Sequence, residues 1–316
     1  MVNNKIGYAC INMELSYPTK YGNKPRGTTP VTTNRSMIKR TFTEKGVDYA
    51  SDLILQNVKD LNQIISWNIL NGYGFYRMSS DITPWKTEYE WNDLKDIDSI
   101  KQWLHSAGTM ATTHGVRLTT HPGPFNVLVS PHDHVVDNCV KDLTIHGDVM
   151  DMMGLSRTPY NKINIHLGGV YGDKESAMDR FCKNFYKLPE SVQKRLTVEN
   201  DDKASMYSVK ELYDGIYTRI GIPIVFDYHH HRFCDGGLSE QEALELAGST
   251  WGDIKPVVHY SESRSIEQED TKIRPQAHSD YVLDYIDTYG QEVDIMVEAK
   301  MKELAVNKYK ELHNVL

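Results

Sequence analysis

The sequence predicts a single (β/α)8 TIM barrel that spans residues 1–316. Three observations point to this fold class: a length that one α/β barrel can fill, eight short apolar or β-branched runs, and stretches of helical periodicity between them. Strands that alternate with helices form parallel sheets, and eight such units close into a barrel.

The predicted strands and helices alternate along the whole chain. The strand segments are "KIGYACIN", "GYGFYRMS", "VRLTTHPG", "KINIHLGG", "RLTVEND", "IPIVFDYHH", "KPVVHYSE" and "VDIMVEAK". Helical periodicity covers 44–70, 96–114, 134–154, 174–187, 205–220, 239–249, 278–289 and 299–312. Helix starts are indicated at Asp48 and, through the capping pattern S-x-x-E, at Ser208 and Ser239.

The composition is that of a globular protein, with 40% hydrophobic and 25% charged residues. The N-terminal "MVNNKIGYACINMELSYP" lacks a basic segment leading into an apolar run, and nowhere are eighteen consecutive residues apolar. We therefore expect an intracellular protein, cytoplasmic or nucleoid-associated, without a membrane partner. The four cysteines are scattered, which favours reduced thiols.

The net charge of -8 argues against a nucleic-acid partner, but the charge is unevenly distributed. The stretch between Leu15 and Thr43 contains no acidic residue and several cations. These cations are Lys20, Lys24, Arg26, Arg35, Lys39 and Arg40. They follow the first strand and are a candidate track for phosphate groups; the alternative is a solvated loop charged by chance.

Polar side chains end several strands at positions that face the barrel lumen. In "RLTVEND", alternation directs Leu196 and Val198 outward and Glu199 inward. Five further strands end in the same way, and their side chains should converge at the barrel mouth, where barrel enzymes place their active sites. The set is His121, His166, Glu199, Asp227, His259 and Glu298.

Imidazole and carboxylate groups in this combination are ligands that zinc, manganese and iron prefer. His230, three residues after Asp227, and His278 in "RPQAHSDY" are further candidate ligands, whereas His229 and His231 have weaker claims. Two metals that share a carboxylate at roughly 3.5–4 Å can activate water against a phosphorus atom and stabilise the leaving oxygen. The sequence has no nucleophile elbow, P-loop or G-x-G-x-x-G after a strand, so we expect neither covalent catalysis nor a nucleotide cofactor.

At these residues the chain resembles the UV damage endonucleases, relatives of endonuclease IV among the xylose-isomerase-like barrels. The resemblance runs from "IGYACIN" to "VEAKMKE". Its segments include "TTNR", "FYRMSSDITP", "THPGPF", "NIHLGGVYGDK", "TVENDD", "VFDYHHHRF", "VVHYSESR" and "RPQAHSDY". The combination of "HLGG-x-YG-x-K", "ENDD" and "D-x-x-HH" distinguishes the chain from generic sugar isomerases.

The resemblance implies a metal-dependent DNA-repair endonuclease acting on damaged double-stranded DNA. Such an enzyme incises the backbone immediately 5' to cyclobutane pyrimidine dimers or 6-4 photoproducts and leaves a 3'-hydroxyl. It implies two or three divalent ions, with manganese expected first and zinc or iron as alternatives. We expect the enzyme to be a monomer.

The resemblance also implies roles for individual residues. It assigns His121, His166 and a bridging Glu199 to one metal, and Asp227, His259 and Glu298 to a second. It assigns His230 and His278 to a third. Glu199 and Lys300 are expected to be catalytic, with Lys300 reaching a phosphate. Tyr8 and Asn12 match positions near the lesion, while capping or packing is the alternative role for both.

Two positions depart from the family pattern. Family members typically have "HPGQ" followed by an aromatic residue, a pair that wedges into the duplex, whereas this chain has Pro124 and Phe125. Phe125 can still wedge, but Pro124 cannot supply the hydrogen bonds of glutamine. Val257 stands where the family commonly has lysine two residues before the seventh-strand histidine; Lys255 shares its parity but lies a layer deeper. We therefore expect activity with altered specificity or rate.

Three alternatives remain at this stage. The nearest is an abasic-site endonuclease with the same barrel and metals. A sugar isomerase or epimerase of the same superfamily is a different class, disfavoured by the histidine-rich ligand set and the basic loop. A catalytically silent binding protein is disfavoured because the ligand set is intact.

Overall fold

Eight four-residue parallel strands close into a barrel in the order of the sequence, which confirms the predicted fold class. The computed structural model describes residues 4–315, so residues 1–3 and 316 of the predicted domain lie outside the described residues. The strands are β1 Ile6–Ala9, β2 Phe75–Met78, β3 Arg117–Thr120, β4 Ile163–His166, β5 Leu196–Glu199, β6 Ile224–Asp227, β7 Val257–Tyr260 and β8 Asp294–Val297.

Helices of very different length connect the strands. They are α1 Met13–Ser16, α2 Lys39–Leu70, α3 Ile97–Thr113, α4 Asp133–Met152, α5 Lys174–Phe185, α6 Glu190–Gln193, α7 Val209–Leu212, α8 Thr218–Ile220, α9 Tyr228–His231, α10 Glu240–Gly248, α11 Arg264–Glu267 and α12 Lys302–His313. Short 3-10 turns lie at Ser80–Ile82, Lys86–Glu88, Trp91–Asp93, Pro159–Asn161 and Ser249–Trp251. No helix within 4–315 is long and apolar enough to cross a membrane.

The capping signals at Ser208 and Ser239 are confirmed, because each hydroxyl accepts from the third helical N–H of a capping box. The predicted helix over 205–220 is shorter than expected and divides into α7, a π-helical turn at Tyr213–Tyr217 and α8. α2 begins at Lys39, earlier than the start predicted at Asp48, and is interrupted at Gly46, whose φ of 67° breaks the helical backbone. The helix resumes after Gly46, next to the predicted start.

The predicted helix over 278–289 is also wrong, because side chains from an earlier part of the same loop bind its backbone. Glu262 accepts the N–H groups of Leu283 and Asp284, and Glu267 accepts those of Asp280 and Tyr281. These N–H groups are therefore not free to bond to helical carbonyls. The result is a long irregular segment over the carboxyl end of β7.

Apolar side chains occupy the middle of the lumen on the side of β6, β7, β8, β1 and β2. Val225, Val257 and Met296 each lie two residues before a predicted ligand, and they pack with Ala9 and Phe75. The outward residues of the strands pack against the helices in a separate and larger core. The floor beneath the polar side chains at the carboxyl ends of the strands is therefore apolar on one side, whereas Thr119, Asn164 and Thr197 hold the equivalent positions on β3, β4 and β5.

Candidate metal centre

The strand register brings the predicted ligands level with one another at the barrel mouth. His166 is opposite Glu199 in the pairing of β4 with β5, and Asp227 is opposite His259 in the pairing of β6 with β7. Side chains level on adjacent parallel strands point into the lumen together. The convergence expected from alternation is therefore present.

Glu199 lies at the centre of this cluster and is only 1% exposed. Its Oε2 is 3.1 Å from His121 Nε2 and 3.1 Å from His259 Nδ1. The Asn164 side chain donates a hydrogen bond to the same oxygen. One carboxylate therefore faces histidines from two different strands, as a bridging metal ligand must.

Three groups of side chains have ligand atoms within 4.8 Å of one another and could each hold a metal ion. The groups share members: Glu199 and Asp227 each belong to two of them. They are His121–His166–Glu199, Glu199–Asp227–His230 and Asp227–His259–Glu298. Because two carboxylates are shared, the three groups form one connected cluster of candidate metal ligands rather than three isolated sites.

The donor set fits divalent metal ions. Asp227 is fully buried, and its Oδ2 has no hydrogen-bond partner among residues 4–315. A buried carboxylate oxygen without a partner is costly unless it binds a cation. Nitrogen and carboxylate oxygen donors together suit manganese, zinc and iron.

His278 lies at the edge of the cluster and belongs to none of the three groups. Its Nδ1 is 3.8 Å from Glu298 Oε2, and its ring centroid is 6.2 Å from that of His230. An antiparallel bridge to Ser263 holds it in the irregular segment after β7. His230 lies beside the carboxylates instead, with its Nδ1 3.5 Å from Glu199 Oε1 and 4.0 Å from Asp227 Oδ1.

The charges of the cluster depend strongly on one another. Burial opposes ionisation of Glu199, but His259 and His166 hold the pKa of this carboxyl well below its ordinary value. Burial also opposes ionisation of Glu298, whose pKa is held low chiefly by Arg77. Burial and the neighbouring carboxylates raise the pKa of Asp227.

The surroundings of His166 favour its protonated form. Burial disfavours the charged ring, but Glu199 and Asp201 outweigh it and raise the pKa of His166 to about 9. Its Nδ1 lies 3.2 Å from Asp201 Oδ1, which leaves Nε2 for the cluster. Orientation of a ligand histidine by a carboxylate on its far nitrogen is common at metal sites.

Two cations inside the site did not emerge from the sequence. Arg77 forms an ion pair with Glu298, and Lys162, which is fully buried, has its Nζ 3.1 Å from His259 Nε2. Burial lowers the pKa of Lys162 to about 7. Alternation could have found both residues, since Lys162 has the inward parity of His166, and Arg77 that of Phe75 in the lumen layer.

Lys162 bears directly on the departure at Val257. Val257 is fully buried in the apolar layer, as its inward parity predicts. An amine nevertheless reaches the seventh-strand histidine, because Lys162, the residue before β4, extends to it. A lysine from elsewhere in the barrel therefore contacts His259, although Val257 stands where the family commonly has lysine.

Tyr8 and Asn12 are fully buried in the described conformation. The Tyr8 hydroxyl donates to Asn68 Oδ1 at 2.6 Å and accepts from Asn12 Nδ2 at 2.9 Å. Asn12 also caps α1 by accepting from the Leu15 N–H at 2.9 Å. This geometry favours the capping and packing alternative for both residues.

The other predicted DNA contacts lie on the open side of the cluster. Pro124 lines a cleft of about 570 Å³ whose wall also includes His121, His166 and Glu298. Phe125, next to it, is 77% exposed. Lys300 is exposed and is the third residue after β8. These positions are accessible to a large substrate.

The basic stretch after β1 is only partly available to phosphate groups. Arg35 forms an ion pair with Asp60 at 2.7 Å and donates to the Thr32 carbonyl, so it has a structural role. Arg40 is 3.7 Å from Glu44. The remaining cations are exposed, namely Lys20, Lys24, Arg26 and Lys39.

Known proteins resemble this chain over most of its length. The UV DNA damage endonuclease of Bacillus mycoides (strain KBAB4) is 34% identical over an alignment of 280 residues, and the match covers 85% of this chain and 84% of that protein. The crystal structure of SacUVDE superposes with a TM-score of 0.81 at 29% identity, covering 99% of this chain and 100% of that one.

A D-psicose 3-epimerase from Clostridium cellulolyticum H10 has a TM-score of 0.51 at 13% identity, covering 81% of this chain and 86% of that one. This likeness shows a shared barrel fold and nothing more. The family model described as UV-endonuclease UvdE matches residues 4–315. The chain therefore belongs to the UV-endonuclease UvdE family.

Proposed function

We propose that this protein is a metal-dependent DNA-repair endonuclease that incises the backbone immediately 5' to UV lesions and leaves a 3'-hydroxyl. The observation that carries the proposal is the convergence of histidines and shared carboxylates at the barrel mouth, in an open cleft beside the exposed Phe125. The lesions proposed are cyclobutane pyrimidine dimers and 6-4 photoproducts. The naming of the Bacillus mycoides relative as a UV DNA damage endonuclease supports this choice.

The proposed cofactor is two or three divalent ions, with manganese first. His121, His166 and Glu199 would hold one ion, and Asp227, His259 and Glu298 a second, while His230 completes the group between them. Ions bound there would supply Lewis acidity at the phosphate and lower the pKa of a water.

Protein groups around the ligands orient them and balance charge. Asn164 donates to Glu199 and Asp201 faces the far nitrogen of His166, so both ligands are fixed before substrate arrives. Arg77 offsets the charge of Glu298. We propose that Lys300, exposed beside the strand ends, contacts a phosphate near the scissile bond.

DNA would approach across the face that carries the cleft. Lys20, Lys24, Arg26 and Lys39 are exposed in and directly after the loop that follows β1, and the loops after parallel strands lie on the same face as the strand ends. Phe125 would wedge at the lesion, where bases are already poorly stacked and therefore easier to extrude. Binding through these cations should weaken steeply with salt.

The test is incision of a 5'-labelled duplex that contains one thymine dimer, beside its undamaged twin and a duplex with one abasic site. Each is incubated with Mn²⁺ or with chelator, and with the isosteric variant Glu199→Gln as control. Metal-dependent cutting just 5' to the dimer, absent from the twin and the variant, is expected.

Other outcomes would change the assignment. Equal cutting of dimer and twin would mean that Pro124 has removed lesion selectivity. Cutting of the abasic duplex alone would assign an abasic-site endonuclease. No cutting of any duplex would refute the proposed function.

A further inference from the structure

Two exposed aromatic rings stand on the loops that follow neighbouring candidate ligands. Phe125 follows His121 by four residues and is 77% exposed; Tyr171 follows His166 by five and is 48% exposed. The proposed function uses Phe125 alone. Tyr171, in "HLGGVYGDK", has no role in it.

The two rings are supported in the same way. Each lies against the glycine two residues before it: a Cβ at Gly123 would collide with the Phe125 ring, and a Cβ at Gly169 would meet the Tyr171 ring at 3.1 Å. Only a residue without a side chain allows so close an approach. In both loops, therefore, an aromatic ring packs directly against the backbone of a glycine.

Tyr171 has an unfavourable backbone conformation that keeps its ring in this place. Its φ of 47° lies in the left-handed region, which is rare for a bulky residue. The next residue, Gly172, also has a positive φ, but glycine tolerates such angles whereas tyrosine does not. Conformational strain of this kind concentrates at functional positions.

The two loops are fixed to each other. Arg180, on α5, donates from Nε to the Val129 carbonyl of the first loop at 2.6 Å, and its guanidinium lies 5.7 Å from the centroid of the Tyr171 ring. A Cβ at Gly168 would meet Val127 Cγ1 at 2.8 Å, so the Val127 side chain of the first loop packs closely on the backbone of the second. The two loops thus form one packed unit, and Pro124 and Gly168, which precede the two rings in these loops, line the cleft.

We propose that Tyr171 is a nucleotide-stacking residue that binds the DNA substrate at a second point, beside the contact made by Phe125. A flat ring fixed at the mouth of a phosphodiesterase cleft can stack on a base or sugar without reading its sequence. This inference rests on the proposed function. It assigns Tyr171 to substrate binding and not to the chemical step.

The test compares steady-state incision of the thymine-dimer duplex by the Mn²⁺-loaded wild type and by Tyr171→Ala, Tyr171→Phe and Tyr171→Leu. Loss of one stacking contact should raise KM by roughly 5- to 100-fold in the Ala and Leu variants with kcat little changed. Tyr171→Phe keeps the ring and should remain within about threefold of wild type. Tyr186→Ala is the matched control, since Tyr186 is 66% exposed but lies at the far end of α5.

A second readout separates stacking from loop support. With 2-aminopurine next to the dimer, wild type and Tyr171→Phe should quench its fluorescence, and Tyr171→Leu should not. An unchanged KM in Tyr171→Ala, or quenching that persists in Tyr171→Leu, would overturn the inference while wild-type incision still supported the proposed function. Absence of incision by wild type would instead refute the proposed function itself.

Discussion

Two clusters of charged side chains occupy opposite ends of the same barrel lumen, and only one is satisfied by its own neighbours. At the amino-terminal end, buried Asp294 pairs with Arg117 at 2.9 Å and Lys255 at 3.3 Å and accepts the Lys5 N–H at 3.1 Å. At the carboxyl-terminal end, Asp227 keeps a buried oxygen without a hydrogen-bond partner in 4–315.

The difference separates a structural network from a ligand site. In the cluster at the amino-terminal end, the lower cluster, Arg117 is completely buried and also donates to the carbonyls of Lys255, Tyr160 and Pro159. Its guanidinium and the Asp294 carboxylate are therefore paired by groups within residues 4–315. In the cluster at the carboxyl-terminal end, the upper cluster, histidines and carboxylates lie close together beside an open cleft. Buried charge alone does not identify a functional site; incomplete pairing beside a cleft does.

The largest expected effect is loss of activity at the upper cluster. Glu199→Gln keeps the shape of the side chain but removes the charge that two ligand groups share. Incision should fall by roughly 10³-fold or more, while the variant remains folded. Single-turnover incision and circular dichroism check both parts. Activity within tenfold of wild type would contradict a bridging role for Glu199.

The lower cluster should respond in stability instead. Arg117→Met leaves Asp294 without its principal buried partner, which should lower the free energy of unfolding by about 3–5 kcal/mol. Arg157→Met is the control, because Arg157 is 50% exposed in its pair with Asp151. Its replacement should lower the free energy of unfolding by about 1 kcal/mol or less. Denaturant unfolding measures both. Equal losses would show that the lower network does not stabilise the fold as described.

Support of a ligand by a neighbouring carboxylate should have an intermediate effect. Asp201→Asn removes the charge beside His166 Nδ1 and should weaken Mn²⁺ binding by about 10- to 100-fold. Asp202→Asn, a change of the adjacent carboxylate, should have a smaller effect. Calorimetric titration of each variant compares them. Equal weakening would assign the effect to general charge rather than to orientation of His166.

The pH dependence of metal binding should be the most gradual effect. Because a metal must displace the proton of His166, and the neighbouring carboxylates raise the pKa of that ring to about 9, affinity should rise with pH up to that value. The expected slope is about tenfold per pH unit below it. Titrations between pH 6 and 8 test this. A flat profile would mean that His166 binds no metal or is already neutral.

The sequence predicted the eight strands and the inward strand ends, because alternation is a local property of each strand. It also predicted the caps at Ser208 and Ser239, which depend on residues three apart. It failed where distant residues decide the structure. The segment 278–289 is apolar at helical spacing, but Glu262 and Glu267 bind its N–H groups.

Contacts between side chains across the lumen also could not be predicted from the sequence. Parity directs Lys162 inward, but the strand register determines whether its amine meets His259 or ends in the apolar layer. The burial of Tyr8 and Asn12 depends in the same way on Asn68 in α2, sixty residues from Tyr8. Such pairings become visible only when the barrel is closed.

The central claim is that the upper cluster holds metal ions and the lower one does not. Anomalous scattering at the manganese edge from crystals grown with Mn²⁺ tests it most directly. We expect peaks between Glu199, Asp227 and their histidines, and none near Arg117 and Asp294. A crystal without peaks at the upper cluster, at Mn²⁺ concentrations that support incision, would contradict the account.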